Sequence, residues 1–142
     1  MMQNELNRKS PLFETHVSLG ARMVPFAGWQ MPVQYSGILS EARAVRKGVG
    51  IFDVSHMGRL KIQGPEASHF LNNILSFDVP QLQLNTAKYS VICNESGGII
   101  DDCITYRIGQ DRFLLIPNAS NTTEVFKWLK KWSSHNERVS IE

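Results

Sequence analysis

The amino-acid sequence predicts an α+β fold in which helices pack on a mainly antiparallel sheet. Three segments between residues 88 and 116 alternate apolar and polar side chains and are joined by tight turns, which is the pattern of antiparallel strands. Two other segments repeat apolar residues at i, i+3 and i+4, as core-facing helices do. The order of strand, helix, several strands, helix and strand favours helices packed on one sheet.

The first third of the chain is rich in glycine, proline and aromatic residues. Pro25, Gly28 and Pro32 lie close together and argue against a long regular element. We therefore expect an irregular wrapping segment in this region, with Phe26 and Trp29 packed on a core.

Regular elements are predicted from residue 38 onward. Helical spacing of apolar residues ends at Gly48 and Gly50, Pro65 suits the first position of a second helix, and the cap-forming run 120–122 precedes a third. The predicted elements are helices over 38–49, 65–75 and 122–132, and strands over 59–63, 88–93, 99–108, 112–116 and from about 138.

Length and composition indicate one globular domain over residues 1–142. Of the 142 residues 42% are hydrophobic and 20% charged, and the net charge is +2. The cationic side chains are scattered, which argues against a nucleic-acid partner, and Lys127, Lys130 and Lys131 are interpreted as a solvated helix face. No apolar run has transmembrane length and the polar start MMQNELNRKSP lacks a signal peptide, so we expect no membrane partner and a cytoplasmic location.

The cysteines and the last residues add two expectations. Cys93 and Cys103 lack metal-binding spacing and are expected to be free buried thiols in a reducing compartment. Val139 and Ile141 would form an apolar edge strand that ends with the chain at Glu142. We therefore expect the chain to be a truncated or split piece of a longer protein.

The acidic pair Asp101 and Asp102 interrupts an otherwise apolar strand. Because side chains alternate across a strand, Asp102 should share a face with Ile104 and Tyr106, while Asp101 points to the opposite face. A carboxylate in apolar surroundings pairs, shifts its pKa or meets a ligand. Asp102 is thus a candidate to bind the polar edge of a flat ligand. The alternative is a strand-end aspartate bonded to nearby backbone.

Six segments occur in a distinctive order and spacing: PLF at 11–13, GARMVPFAGW at 20–29, MP at 31–32, AVR at 44–46, FDVSHMG at 52–58 and NESGGIIDD at 94–102. Together they resemble the aminomethyltransferase, or T-protein, family of the glycine cleavage system. Members of that family continue well beyond this length. The resemblance therefore implies the amino-terminal part of a folate-binding region, a partial folate-binding domain of the aminomethyltransferase type.

The resemblance also implies a reaction. A lipoylated H-protein would deliver an aminomethyl group to tetrahydrofolate, which yields methylenetetrahydrofolate, ammonia and the dihydrolipoyl H-protein, with no metal required. The second acid of the GGIIDD run is the functional one in the family, and it falls on Asp102. Its implied catalytic work is to orient the folate and help manage proton transfer at the attacking amine, for which desolvation would strengthen its basicity.

A folate pocket around Asp102 is implied as well, because aromatic and methionine walls suit a flat pterin. The other residues that would line it are Met57, Tyr89, Ile104, Tyr106 and Asn118. Structural interpretations stay open: Met57 as loop packing, the tyrosines as sheet residues, and Asn118 as a turn former or helix cap. Pro117 lacks the N–H of a ladder bond, so we expect the end of its strand to tilt Asn118.

Two classes of function remain for the whole chain. It is either a fragment or split subunit of an aminomethyltransferase that is active only when completed, or a non-catalytic folate-binding or assembly module. A folate-dependent family that repairs iron–sulfur enzymes is disfavoured because no Lys-Gly-Cys-Tyr-like motif occurs, and demethylating relatives with flavin domains stay open. His56, a lone histidine in a loop, is interpreted as structural.

Overall fold

The computed structural model describes residues 8–133 and 138–142. The chain divides into two compact units, Met1–His56 and Met57–Glu142. The single domain expected over residues 1–142 stays a prediction. Most of the polar start that was predicted to lack a signal peptide lies outside the described residues.

The first unit contains a small sheet in the strand order β1-β3-β2. β1 pairs with β3 in parallel, and β2 pairs with β3 antiparallel. Its elements are β1 (Arg8–Lys9), α1 (Phe13–Ser18), β2 (Arg22–Phe26), β3 (Trp29–Gln34) and α2 (Ile38–Lys47). The helix predicted over 38–49 is therefore confirmed, although it ends at Lys47, with Gly48 as its C-cap.

The prediction of an irregular segment was wrong for β2 and β3. Ala27 and Gly28 have φ values of 48° and 80°, so they form the tight two-residue turn of a hairpin. Pro25 lies on the edge strand β2, where a missing N–H is tolerated. Phe26 was expected in a core but is 58% exposed, with its ring edge-to-face against His56 at 5.5 Å.

A buried polar network fixes α1 to the end of the first unit. His16 is only 5% exposed, and its Nδ1 lies 2.8 Å from the Tyr35 hydroxyl while its Nε2 lies 2.8 Å from Asp53 Oδ2. The backbone N–H of Ser55 donates to Asp53 Oδ1 at 2.8 Å. Burial raises the pKa of Asp53, but hydrogen bonds from Ser55, His16 and Ser10 outweigh it and hold that pKa well below its usual range.

The second unit is a five-stranded sheet in the order β5-β6-β7-β4-β8, in which every pair is antiparallel. The strands and helices predicted here are present, although α3 ends before Leu75, which instead pairs with Ile92 in an isolated bridge. The elements are β4 (Leu60–Gln63), α3 (Ala67–Asn72), β5 (Ala87–Cys93), β6 (Ile99–Gly109), β7 (Arg112–Pro117), α4 (Thr122–Ser133) and β8 (Ser140–Ile141).

Helices α3 and α4 cover the same face of the sheet. Phe70 and Leu71 of α3 and Val125 and Leu129 of α4 join inward residues of the strands, such as Ile62, in one buried core. The predicted α+β fold with a mainly antiparallel sheet is thereby confirmed. Among the described residues of this unit, no helix covers the other sheet face.

Cysteine and lysine side chains lie largely where they were predicted. Cys103 is buried and Cys93 half-buried, and both are free thiols. Lys127, Lys130 and Lys131 are exposed on α4. In the part of the chain that the structure describes, no helix is long and apolar enough to cross a membrane.

Substitution of Leu71 tests the assignment of the core. Leu71 is fully buried, so Leu71→Ala should lower the free energy of unfolding by about 3 kcal/mol through lost burial and a residual cavity. Leu84→Ala, at a leucine that is 55% exposed, is the matched control and should change it by less than about 0.5 kcal/mol. Urea unfolding followed by circular dichroism measures both, and equal losses would contradict the core.

Substitution of Asp53 tests the polar network through its pH dependence. Because the folded pKa of Asp53 is lowered, its ionised form stabilises the fold above the ordinary carboxyl pKa of about 3.9, and this contribution is lost as pH falls through the lowered value. Asp53→Asn should therefore lower the free energy of unfolding by about 2 kcal/mol at neutral pH. The difference in the free energy of unfolding between the variant and the wild type should shrink below pH ~4, and a pH-independent difference would refute the network. Asp78→Asn, at an exposed aspartate, is the control.

Candidate functional site

The open face of the five-stranded sheet carries most of the residues predicted for the site. Tyr89 on β5 pairs with Ile104 on β6, and Tyr106 follows two residues further along β6. These side chains are 62%, 36% and 40% exposed, respectively. Asp101, by contrast, is 2% exposed and lies on the helix-covered face. The predicted alternation of the two acids is thus observed.

A β-bulge brings Tyr89 to the face that carries Asp102. Cys93 pairs with Ile99, but Ile92 pairs with Asp101, so one residue of β6 is left without a partner on β5. Without that extra residue the register would place Tyr89 opposite Cys103, on the buried face. The bulge therefore creates a diagonal Tyr89–Asp102 pair on the open face.

Asp102 is half-buried and accepts hydrogen bonds from two neighbouring strands. The Tyr89 hydroxyl donates to Asp102 Oδ2 from β5. Asn118, which directly follows β7, donates from Nδ2 to Asp102 Oδ1 at 2.9 Å. The carboxyl group is therefore held from both sides with one edge toward the open face.

The electrostatics of Asp102 differ from the sequence-based expectation. The hydrogen bond from Tyr89 is the main reason that the pKa of Asp102 is lowered, and it also raises the pKa of Tyr89. Desolvation acts in the opposite direction on Asp102 but is the smaller effect. The expected gain in basicity was therefore wrong for this chain: Asp102 is a stable carboxylate, suited to accepting N–H groups from a ligand.

The tilt of Asn118 that was expected from Pro117 would have moved Asn118 away from the acids. In the structure Asn118 stays beside them. Pro117 lies within β7, paired with Cys103, and the next backbone N–H, that of Asn118, donates to Asp101 Oδ2 at 2.9 Å. Asn118 Nδ2 also lies 2.9 Å from Asp101 Oδ1 and 3.0 Å from the Asp102 carbonyl oxygen. Asn118 thus contacts both acids at once.

Met57 lies next to the same end of β7 through its neighbour Gly58. The Gly58 N–H donates to the Pro117 carbonyl oxygen at 3.1 Å. A Cβ at position 58 would lie 2.7 Å from Pro117 Cγ and would also clash with Thr122, so only glycine fits. This close approach fixes the backbone beside half-buried Met57.

Two residues of this cluster were not among the predicted site residues. Asp101 had been identified only as the acid on the opposite face, and Asn121 only as a helix-cap former. In the structure Asn121 Nδ2 donates to Asp101 Oδ1 at 2.7 Å. The sequence did carry a signal for them: Asn118 and Asn121 lie three residues apart directly after a predicted strand. The turn at this point directs both side-chain amides back toward the acidic pair.

The cluster combines a carboxylate, a phenol and an amide with exposed aromatic and aliphatic surface. That combination suits a flat ligand whose polar edge donates N–H groups. Within residues 8–133 and 138–142, no group of three histidine, cysteine or acidic side chains is arranged to hold a metal ion.

Known proteins similar to this chain include aminomethyltransferases. Residues 12–142 match the family described as the GCVT N-terminal domain. An aminomethyltransferase from Thermotoga petrophila is 48% identical over 135 residues, which cover 95% of this chain and 36% of the relative. An aminomethyltransferase from Staphylococcus haemolyticus is 50% identical over 141 residues, which cover 99% of this chain and 38% of the relative.

A solved structure agrees with these relatives. The crystal structure of the glycine cleavage system aminomethyltransferase T from Bartonella henselae matches with a TM-score of 0.89 and 37% identity, over 94% of this chain and 37% of that one. The chain thus spans little more than a third of the length of the relatives it matches. The predicted resemblance and fold class are confirmed.

Substitution of Tyr89 tests the origin of the Asp102 electrostatics. Tyr89→Phe removes the hydroxyl that lowers the pKa of Asp102, so that pKa should rise toward the ordinary carboxyl value of about 3.9. Tyr106→Phe removes a hydroxyl from the same sheet face and is the matched control. Carboxyl ¹³C NMR titration of Asp102 measures the effect, and coinciding curves for the two variants would contradict the assignment.

Proposed function

Because the chain belongs to the GCVT N-terminal domain family, we propose that it supplies the tetrahydrofolate-facing part of an aminomethyltransferase of the glycine cleavage system. The reaction would move an aminomethyl group from the lipoyl arm of the H-protein to tetrahydrofolate. Ammonia, methylenetetrahydrofolate and the dihydrolipoyl H-protein would be its products. The proposal places this chemistry in the cytoplasm, with the H-protein as partner and without a metal.

The observation that carries the proposal is the placement of Asp102. Its carboxyl group is a charged acceptor on the open sheet face, which also carries Tyr89, Ile104 and Tyr106. Such a face can stack the flat rings of a folate while the carboxylate binds an N–H group at the ring edge. In the proposal Asp102 orients the attacking amine, and Asn118 and Tyr89 hold Asp102 in place.

The same geometry limits the part that Asp102 would take in proton transfer. Since the hydrogen bond from Tyr89 lowers the pKa of Asp102, the carboxylate is a weak base in this chain. It can stabilise positive charge that develops on the attacking amine, which favours attack without removing the proton outright. The proposed role is therefore chiefly orientation and electrostatic stabilisation, and less general-base catalysis.

Activity is proposed only for a completed protein. The chain spans 36% of the Thermotoga petrophila relative, and the open sheet face exposes the candidate site widely. In so wet a site hydrogen bonds and charges act weakly, because water competes for them. The same observation favours a second candidate function, a folate-binding or assembly module without turnover.

A reconstitution experiment tests the proposed function. The 142-residue chain is mixed with a polypeptide covering the rest of the Staphylococcus haemolyticus aminomethyltransferase, and ammonia release from aminomethyl-loaded H-protein is measured with tetrahydrofolate. We expect release with the wild type and a loss of about 100-fold or more with Asp102→Asn, because the amine loses its charged partner. Asp78→Asn, at an exposed aspartate, should keep full activity.

The outcome separates the two candidate functions. A folded mixture that binds tetrahydrofolate by calorimetry but releases no ammonia would refute transfer and support the binding module. Equal ammonia release by the wild type and Asp102→Asn would refute the role of Asp102.

A further inference from the structure

We propose that Asp101 and Asn121 are positioning residues that orient the side-chain amide of Asn118 and, through it, the carboxyl group of Asp102. The importance of Asp102 rests on the proposed function, but the orientation itself is a property of this chain. Neither Asp101 nor Asn121 was among the residues predicted for the site. They act through Asn118, because the Asp101 side chain lies on the helix-covered side of the sheet.

The surroundings of Asp101 are unusual for a carboxyl group. Asp101 is 2% exposed, and both of its oxygens accept N–H donors. Oδ2 accepts the backbone N–H of Asn118 at 2.9 Å, while Oδ1 accepts Asn118 Nδ2 at 2.9 Å and Asn121 Nδ2 at 2.7 Å. A buried carboxyl group with three N–H partners is well satisfied, so the packing of this site determines where its partners must lie.

These contacts allow only one orientation of the Asn118 amide. Its Nδ2 lies within 3.0 Å of three oxygen atoms: Asp101 Oδ1, Asp102 Oδ1 and the Asp102 carbonyl oxygen. The flipped amide would place Asn118 Oδ1 against all three acceptors, which is strongly unfavourable. The amide therefore donates toward the acids and turns its own oxygen away from them.

Asn121 is held in place independently of Asp101. Its backbone N–H donates to the Asn118 carbonyl oxygen at 3.0 Å. Its own carbonyl oxygen, directly before α4, accepts the N–H of Val125 of that helix at 2.9 Å. The Thr122 hydroxyl also donates to the Asn118 carbonyl oxygen, at 2.9 Å. The start of α4 thus aims Asn121 Nδ2 at Asp101 and transmits the fixed position of the helix to the acidic pair.

The geometry forms a directed chain of contacts from Asn121 through Asp101 and Asn118 to Asp102. Loss of the contact between Asn121 and Asp101 should leave the fold around Asp102 intact. The Asn118 amide that donates to Asp102 Oδ1 should then be less well oriented. Two effects follow: the Asn118 amide gains freedom, and the pKa of Asp102 rises because one hydrogen bond to its charged form weakens.

Two variants test the proposal in the full 142-residue chain. Asn121→Ala removes the outer amide, and Asp101→Asn replaces the acceptor by an amide of the same shape. Ser120→Ala, at the exposed neighbouring residue, is the matched control. Far-UV circular dichroism reports folding, ¹H–¹⁵N NMR reports the Asn118 side-chain amide, and carboxyl ¹³C titration reports Asp102.

We expect Asn121→Ala to shift or broaden the Asn118 amide resonances and to raise the pKa of Asp102, with Ser120→Ala unchanged. Where tetrahydrofolate binds the wild type, we expect an affinity loss of about 10-fold, or about 1.4 kcal/mol, in Asn121→Ala. A folded Asn121→Ala chain with unchanged Asn118 resonances and unchanged Asp102 titration would overturn the proposal. If Asp101→Asn does not fold, the Asn121→Ala variant alone still tests the proposal.

The readouts keep this inference separate from the proposed function. A wild-type chain that fails to bind tetrahydrofolate counts against the proposed folate role of this chain, whereas the NMR readouts still decide the orientation of Asn118. Conversely, normal folate binding by an Asn121→Ala chain with unchanged NMR readouts would refute the positioning role of Asn121 and leave the proposed function intact.

Discussion

The structure of the candidate site depends on one side-chain amide, that of Asn118, placed between two carboxyl groups. Asp101 and Asp102 are adjacent in sequence and lie on opposite faces of β6, yet Asn118 Nδ2 contacts both at 2.9 Å. Two neighbouring acids repel each other unless donors lie between them. The amide supplies those donors, and it links the buried core side of the sheet to its open side.

The scaffold explains why the amide can hold this position. α3 and α4 cover one sheet face and bury Leu71 and Leu129, so the strand ends are fixed from behind. β7 delivers Asn118 beside Asp102, and the bulge in the β5–β6 pair delivers Tyr89 from the other side. The exposed aromatic face is thus packed from behind, and the Asp102 carboxylate on it has hydrogen-bonded partners and a lowered pKa.

Much of this arrangement could be predicted from the sequence, and the remainder depends on long-range geometry. Strand alternation alone separates Asp101 from Asp102, and tight turns identify β5 to β7. The Tyr89–Asp102 hydrogen bond depends on a bulge, and a shift of one residue would have moved Tyr89 to the other face. The hairpin of β2 and β3 was missed because prolines masked a two-residue Ala27-Gly28 turn. The direction in which the pKa of Asp102 shifts depends on Tyr89 and Asn118, which are distant from it in sequence.

Titration of the ¹⁵N-labelled 142-residue chain with tetrahydrofolate tests most directly whether the open face around Asn118 is the folate site. Asn118 reports that face through its side-chain amide, whereas the indole N–H groups of Trp128 and Trp132 report α4 on the opposite face. The account predicts saturable shifts of the Asn118 amide with both indoles unchanged. Saturable shifts at the indoles alone, or an Asn118 amide that stays unchanged at millimolar tetrahydrofolate, would contradict it.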